Sequence, residues 1–193
     1  QLADIAGGSY AAMNAVTTAL YQREKTGKGE WVDVAMTDAA VPFSVLQFAN
    51  YQAQKKNIER GEFELSGALA NYNVYLCKDG KFIALGSLEP KFWNKFCAKA
   101  NRNDWAERFL LKGEELTRLK SEVRNFFLTK TRKEWLTYFK EDDICLTTIN
   151  ELSDLETDTY LTERNMLLEN EHPDVGKYKT INQPLKFKQT LFD

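Results

Sequence analysis

Apolar and polar residues follow a helical period over the first part of the chain and then change to a strand-like run. Residues 8–25 place apolar side chains at helical spacing, which predicts a helix. Gly27, just beyond this segment, is expected to end the helix in a left-handed conformation. Residues 31–36 are mostly apolar and include the β-branched Val32 and Val34, which predicts a buried strand.

The stretch ahead of the first helix combines a carboxylate with two glycines. Asp4 is followed by Gly7 and Gly8, which predicts a loop that leads into the helix N-terminus. The first N–H groups of a helix lack internal partners and attract anions, and glycine lets a ligand approach the backbone closely. On the local pattern alone, a plain helix cap is the better explanation of Asp4.

A second helix is predicted over residues 39–54. Thr37 and Asp38 are good N-cap residues, and Pro42 is tolerated in a first helical turn because its missing N–H has no partner there. The polar and irregular residues 55–66 that follow predict a linker.

A β-hairpin is the strongest local prediction in the second part of the chain. Two β-rich runs, residues 71–77 and 81–86, flank Asp79 and Gly80, and Asp-Gly between such runs is a strong hairpin signal. Pro90 then fits the first position of a helix. Later segments are predicted as helices over residues 113–128 and 132–139 and as a short strand over residues 144–149.

The predicted fold class is α/β. An aromatic stripe recurs at helical spacing in the later helices, and such a stripe is far more often core than cofactor site. It comprises Phe126, Phe127, Trp135, Tyr138 and Phe139. The predicted organisation is part of a large α/β domain over residues 1–54, a linker over 55–66, a small α+β domain over 67–155 and a tail over 156–193 that returns to the large domain.

Composition excludes several classes of function. The chain has 193 residues, 43% of them hydrophobic, which is enough to bury a substantial core. Its net charge is −2 with both signs interspersed, so no basic stripe indicates nucleic acid binding. No apolar run approaches the ~18–20 residues that cross a bilayer, and no signal peptide is recognisable. We therefore expect a soluble, cytoplasmic protein that binds neither membrane nor nucleic acid.

The cysteines and the histidine do not form a recognisable metal or disulfide pattern. Cys77, Cys97 and Cys145 are widely spaced in apolar contexts, which predicts buried, reduced thiols and fits a cytosolic protein. His172 lies in a polar turn without partners at ligand spacing, so no metal site is predicted.

Three stretches together resemble the type III CoA-transferase family, which includes alpha-methylacyl-CoA racemase and the carnitine and bile-acid CoA-transferases. The stretches are DIAGGS at 4–9 leading into TGKGEWVDVAM at 26–36, DGKFIALGSLEPKFW at 79–93, and RKEW at 132–135 followed by DIC at 143–145. Their order and spacing match the family over nearly the whole chain. The similarity covers only the C-terminal half of the family's chains, whose first half is nucleotide-binding-like and carries most CoA contacts.

The resemblance implies the fold and the catalytic residues. It implies helices of a large Rossmann-like domain together with a small α+β domain. The family's catalytic carboxylate matches Asp4, and the glutamate that marks the racemase branch matches Glu89. In racemases this glutamate pairs with a histidine that acts as the second base, which lies upstream of residue 1, so we expect the chain as given to be inactive alone. Asp4 and Glu89 are expected to meet at one thioester.

The resemblance also implies a set of substrate-binding residues. The N–H groups around Gly7 and Gly8 are candidate donors to the thioester, and Tyr72 matches a position that faces the acyl group. Leu88, next to Glu89, is also assigned to substrate binding. The substrate is an acyl-CoA, no separate cofactor or metal is expected, and the family predicts an interlocked homodimer.

Three functions remain open from the sequence. A racemase of 2-methylacyl-CoA thioesters would remove and return the α-proton, whereas a CoA-transferase would use Asp4 as a nucleophile that forms an anhydride and then an aspartyl-CoA thioester. Transferases of the family usually carry a glycine-rich loop after the hairpin, while residues 86–89 contain one glycine and a carboxylate, which favours a racemase. The third hypothesis is a non-catalytic dimerisation fragment in which Asp4 is a cap and Glu89 a helix-start charge.

Overall fold

The structure is a computed structural model that describes residues 1–109 and 111–187. The chain divides into two compact units, Gln1–Phe63 and a second unit that begins at Glu64. The end of the predicted tail, residues 188–193, lies outside the described residues. Throughout the described part of the chain, each helix is too short or too polar to pass through a lipid bilayer.

The folded elements of the first unit are helical. A π-helix, Leu2–Tyr10, continues directly into helix α1, Ala11–Thr26. Helix α1 ends as predicted, because Gly27 has a φ of 70° and its N–H donates to the Arg23 carbonyl at 2.8 Å. The later helices are α2, Met36–Ala40, and α3, Val45–Gln54, joined by a 3-10 turn, Val41–Ser44.

The prediction of a buried strand over residues 31–36 is wrong. The segment is extended but exposed, with Trp31 at 84% exposure, and helix α2 begins at Met36. A strand needs a neighbouring strand to bond its N–H and C=O groups. No strand pairs with this segment among the described residues, so its β-branched side chains do not produce a sheet.

The prediction of one continuous helix over residues 39–54 is also wrong. Helix α2 begins earlier, with Ala35 rather than Thr37 or Asp38 at the N-cap. Pro42 then lies within the 3-10 turn that separates α2 from α3. Proline lacks the N–H that would continue the α-helical hydrogen bonding, which accounts for the change of helix type at this point.

The second unit is built around a three-stranded antiparallel sheet. Its strands are β1, Tyr72–Leu76, β2, Phe82–Gly86, and β3, Leu146–Thr148, in the order β1-β2-β3. Strands β1 and β2 form the predicted hairpin, and Gly80 in its turn has a φ of 75°, which glycine adopts without strain. The prediction of the hairpin is therefore confirmed.

Four helices pack beside this sheet. They are α4, Pro90–Lys99, α5, Asn103–Ala106, α6, Gly113–Phe127, and α7, Arg132–Tyr138. The predictions of α6 and α7 are confirmed. Helix α7 begins with a capping box in which the Thr131 hydroxyl accepts the Glu134 N–H and the Glu134 carboxylate accepts the Thr131 N–H. The hydrogen bonds from Thr131 hold the pKa of Glu134 below its usual value.

An aromatic cluster forms the core of the second unit. Phe96 lies at its centre and is fully buried, with ring centroids 5.4 Å from Trp93, 5.8 Å from Phe127 and 5.5 Å from Phe139. The indole N–H of buried Trp93 has a hydrogen-bond partner, because its Nε1–H donates to the Trp105 carbonyl at 3.1 Å. Phe127, Trp135 and Phe139 of the predicted stripe are therefore core, and Phe126 packs against them. Tyr138 is 37% exposed, so the prediction is wrong for this residue.

The last described elements follow β3. They are a 3-10 turn, Leu152–Glu156, helix α8, Thr159–Glu163, and an antiparallel hairpin of β4, Leu167–His172, and β5, Gly176–Ile181. The assignment of this segment to the large domain stays a prediction. Cys77 and Cys97 are buried and free, as predicted, but Cys145 is exposed. In the turn just before β3, the Ile144 side chain is buried and the side chain of the adjacent Cys145 faces outward.

Candidate active site

Asp4 lies inside the π-helix rather than in the predicted loop. Its side chain is 75% exposed, and its carbonyl accepts a hydrogen bond from the Ser9 hydroxyl at 3.1 Å. A residue within a helix is not its N-cap, so the explanation of Asp4 as a cap does not hold. The structure therefore leaves an accessible carboxylate at the position that the sequence predicts to be catalytic.

Gly7 and Gly8 allow the π-helix to pack closely on helix α2. Gly7 is buried, and a Cβ added there would lie 2.9 Å from the Met36 carbonyl oxygen. In a π-helix each N–H bonds to the carbonyl five residues earlier, so the N–H groups of both glycines have acceptors within the helix. The packing gives these glycines a structural role, while their proposed donation to a thioester stays a prediction.

Gly7→Ala is expected to destabilise the first unit by about 1–3 kcal/mol, the usual cost of an overpacked contact. The added methyl group would meet backbone at Met36, which cannot move aside as a flexible side chain does. The measurement is the free energy of unfolding in urea. Gly29→Ala is the matched control, because a Cβ at Gly29 has no neighbour within 4 Å among the described residues. Equal stability of the two variants would contradict the close contact.

Tyr72 lies at the end of the hairpin that leads to Glu89. It pairs with Gly86 in the register of β1 and β2, and its ring edge is 3.9 Å from the point where a Cβ of Gly86 would lie. The Tyr72 side chain is half-buried. Since Leu88 and Glu89 are two and three residues beyond Gly86, the second unit brings Tyr72 and the segment that carries both residues to one end of its sheet.

Glu89 occupies the N-cap position of α4 without capping the helix. Its backbone is extended, with φ −84° and ψ 143°, and its carbonyl accepts the Phe92 N–H at 3.1 Å. Within the described residues its carboxylate makes no capping hydrogen bond, and the residue is exposed. Leu88 beside it is half-buried, and its N–H donates to the Gly86 carbonyl at 2.8 Å.

Two buried polar residues that the sequence does not single out hold this loop. Ser87 is fully buried, and its hydroxyl donates to the Ile144 carbonyl at 2.6 Å. Asn71 is 3% exposed, and its Nδ2–H donates to the Ser87 carbonyl at 2.9 Å. The sequence signal for both is weak, because a serine and an asparagine at strand ends are normally exposed turn residues.

Asp4, Gly7 and Gly8 lie in the first unit, whereas Tyr72, Leu88 and Glu89 lie in the second. The meeting of Asp4 and Glu89 at one thioester stays a prediction. Among the described residues, no group of three or more histidine, cysteine, aspartate or glutamate side chains is arranged to hold a metal ion. The chemistry that these residues offer is that of carboxylates.

Comparison with known proteins identifies related sequences and folds. The family model described as CoA-transferase family III matches residues 1–192. Human alpha-methylacyl-CoA racemase is 26% identical over 91% of this chain and 46% of its own length. The formyl-CoA:oxalate CoA-transferase of Rhodopseudomonas palustris is 26% identical over the whole of this chain and 51% of its own length.

The fold is also shared with solved structures. A crystal structure of a protein from M. tuberculosis superposes on this chain with a TM-score of 0.74 at 23% sequence identity. The superposition covers 97% of this chain and 49% of the M. tuberculosis chain. At this identity the likeness concerns the fold alone, and it confirms the predicted α/β fold class. The chain spans about half the length of the curated relatives it matches.

Proposed function

Because the chain belongs to CoA-transferase family III, as its sequence predicts, we propose that the whole protein is a racemase of 2-methylacyl-CoA thioesters. The family is enzymatic and includes both racemases and CoA-transferases. The proposal assigns Asp4 as a catalytic base, Glu89 as the partner of a second base, and Tyr72 and Leu88 as contacts of the acyl chain.

The observation that carries this proposal is the state of Glu89. Glu89 occupies the N-cap position of α4, but its carboxylate makes no hydrogen bond to the first N–H groups and stays exposed. The helix therefore does not use this carboxylate as a hydrogen-bonding cap. An accessible carboxylate that the helix does not use, at the same end of the sheet as Tyr72, is suited to orient a catalytic group.

The proposed reaction needs a base on each face of the α-carbon. The α C–H bond breaks, its electron pair passes into the thioester enolate, and the Asp4 carboxylate takes the proton. A new C–H bond forms on the opposite face with a proton from the histidine that the family resemblance places upstream of residue 1. Glu89 orients that histidine, and in the reverse direction the two bases exchange roles.

A CoA-transferase is the second candidate, since a transferase is among the similar proteins. In that reaction the Asp4 carboxylate attacks the thioester carbonyl and releases the CoA thiolate, which attacks the aspartyl carbonyl of the resulting anhydride, so the donor acid leaves as a carboxylate and an aspartyl-CoA thioester forms. An acceptor carboxylate then attacks this thioester and releases CoA again. The CoA thiolate finally attacks the acceptor carbonyl of the new anhydride, which gives the acceptor acyl-CoA and frees the Asp4 carboxylate. The exposed Asp4 carboxylate suits the first of these steps. The loop from Gly86 to Glu89 argues against a transferase, because it contains one glycine instead of a glycine-rich run, and hydrogen bonds to Asn71 and Ile144 hold it in place.

The test uses the full-length protein with a 2-methylacyl-CoA in deuterated water. A racemase incorporates deuterium at the α-carbon without an acceptor acid, whereas a transferase moves CoA to an added carboxylate, and a dimerisation fragment does neither. Glu89→Gln should lower the exchange rate about ten- to a hundredfold, the effect of losing a hydrogen bond to a charged group. Glu141→Gln is the control, because the Glu141 side chain is 86% exposed. Full exchange in Glu89→Gln would exclude the assigned role.

A further inference from the structure

The loop between β2 and α4 is fixed by hydrogen bonds from two distant parts of the second unit. Asn71, just before β1, donates to the Ser87 carbonyl, and Ser87 donates to the Ile144 carbonyl, just before β3. The Gly86 N–H also donates to the Cys145 carbonyl at 2.8 Å. We call Asn71 and Ser87, with these bonds, the loop tether.

The loop tether is buried, unlike the residue that it leads to. In the described part of the chain, Asn71 and Ser87 are the polar residues whose side chains are buried, with exposed fractions of 3% and 0%. Breaking a hydrogen bond in such a place leaves a desolvated donor or acceptor, which is costly, so the loop has little freedom to move. Glu89 is exposed and two residues beyond Ser87. A rigid backbone therefore presents an accessible carboxylate.

The turn at Ile144 and Cys145, just before β3, has an unusual backbone conformation. Cys145 has a φ of 55°, a left-handed conformation that non-glycine residues rarely adopt. Desolvation, followed by the carboxylates of Asp143 and Glu89, raises the pKa of the Cys145 thiol, and the Lys91 ammonium lowers it. This turn supplies the acceptors for both Ser87 and Gly86, and its geometry therefore determines where the loop lies.

We propose that Asn71 and Ser87 are positioning residues that fix the backbone of the loop so that the Glu89 carboxylate points at its catalytic partner. The proposal rests on the proposed function of Glu89 and adds two residues to it. Neither side chain contacts the substrate in this proposal, and both act through Glu89.

The experiment measures kcat and KM for α-proton exchange in the full-length protein. Ser87→Ala and Asn71→Ala should each lower kcat on the order of tenfold, because a small misplacement of a catalytic group costs at least that much, while KM stays unchanged. Ser87→Cys adds no methyl group at this fully buried position and keeps a weak thiol donor, so it should retain more of kcat than Ser87→Ala. If Ser87→Ala does not fold, Ser87→Cys takes its place and should lower kcat less.

A double-mutant cycle separates positioning from a loss of stability. In the Glu89→Gln background, Ser87→Ala and Asn71→Ala should cause no further loss of kcat, because the group that they position is already disabled. Ile83→Val, a fully buried substitution on β2 that leaves the loop tether intact, should keep wild-type kcat and controls for weakened packing.

The outcomes distinguish this proposal from the proposed function. If Glu89→Gln lowers kcat but the tether variants do not, or if they lower it equally in both backgrounds, positioning is wrong and the function of Glu89 stands. If Glu89→Gln has full activity, or the wild-type protein shows no α-proton exchange, the proposed function fails and positioning fails with it.

Discussion

Asp4→Asn is expected to lower the rate of α-proton exchange on the order of 10³-fold, within the range that general bases contribute. Asparagine has nearly the same shape as aspartate, but its amide cannot accept the α-proton. Because the Asp4 side chain is 75% exposed, the loss of its charge should leave the fold intact. The measurement is deuterium incorporation into a 2-methylacyl-CoA, followed by mass spectrometry on the full-length protein.

The control for this variant is Glu24→Gln, which removes an exposed carboxylate from α1 in the same unit. It should exchange protons at the wild-type rate. Asp4→Asn should also abolish CoA transfer if the protein proves to be a transferase, because the amide is not the nucleophile that the anhydride requires. Undiminished exchange and transfer in Asp4→Asn would show that Asp4 is not catalytic.

Phe96→Ala is expected to lower the free energy of unfolding of the second unit by about 3–5 kcal/mol, the usual cost of removing a buried aromatic ring. Phe96 is fully buried at the centre of the aromatic cluster, where its ring contacts those of Trp93, Trp105 and Phe127. The resulting cavity would be enclosed by rigid rings that cannot collapse into it. Unfolding in guanidinium chloride can be followed by fluorescence, since Trp93, Trp105 and Trp135 are buried in this unit.

Phe82→Ala is the matched control for this core substitution. Phe82 lies on β2 with 46% exposure, so the same change of side chain should cost much less stability there. A small loss for Phe96→Ala, equal to that of Phe82→Ala, would mean that Phe96 does not lie at the centre of the core.

The sequence predicts the second unit well because its signals are local. The hairpin follows from Asp79 and Gly80, whose turn geometry few other residue pairs adopt, and the start of α4 follows from Pro90. The helices follow from the spacing of large aromatic residues that must be buried together. Each of these features is decided within a few residues of the chain.

The first unit is predicted less well because its conformation depends on contacts distant in sequence. Gly7 and Gly8 have the composition of a loop, but the close contact of Gly7 with Met36 favours a packed π-helix. Residues 31–35, which include the β-branched Val32 and Val34, have the composition of a strand. Whether a strand forms there depends on a neighbouring strand that the local sequence does not specify.

The candidate site shows the same division. The positions of Glu89 and Tyr72 follow from the hairpin and the helix that begins at Pro90, which are local features. The loop tether is not predictable in this way, since Asn71 and Ser87 are 16 residues apart and Ser87 and Ile144 are 57 apart. Polar residues at such separations reveal their burial only in the folded chain.

The direction in which the Asp4 carboxylate points depends on the π-helical winding of the turn that contains it. In a π-helix each N–H bonds to the carbonyl five residues earlier, so Ser9 lies next to the Asp4 carbonyl. In an α-helix the bond goes four residues back, and Gly8 would lie there instead. Tightening this turn to α-helical winding would rotate Asp4 about the helix axis while Gly7 stays anchored against Met36. The direction of the Asp4 carboxylate can thus change with no substitution near the carboxyl group itself.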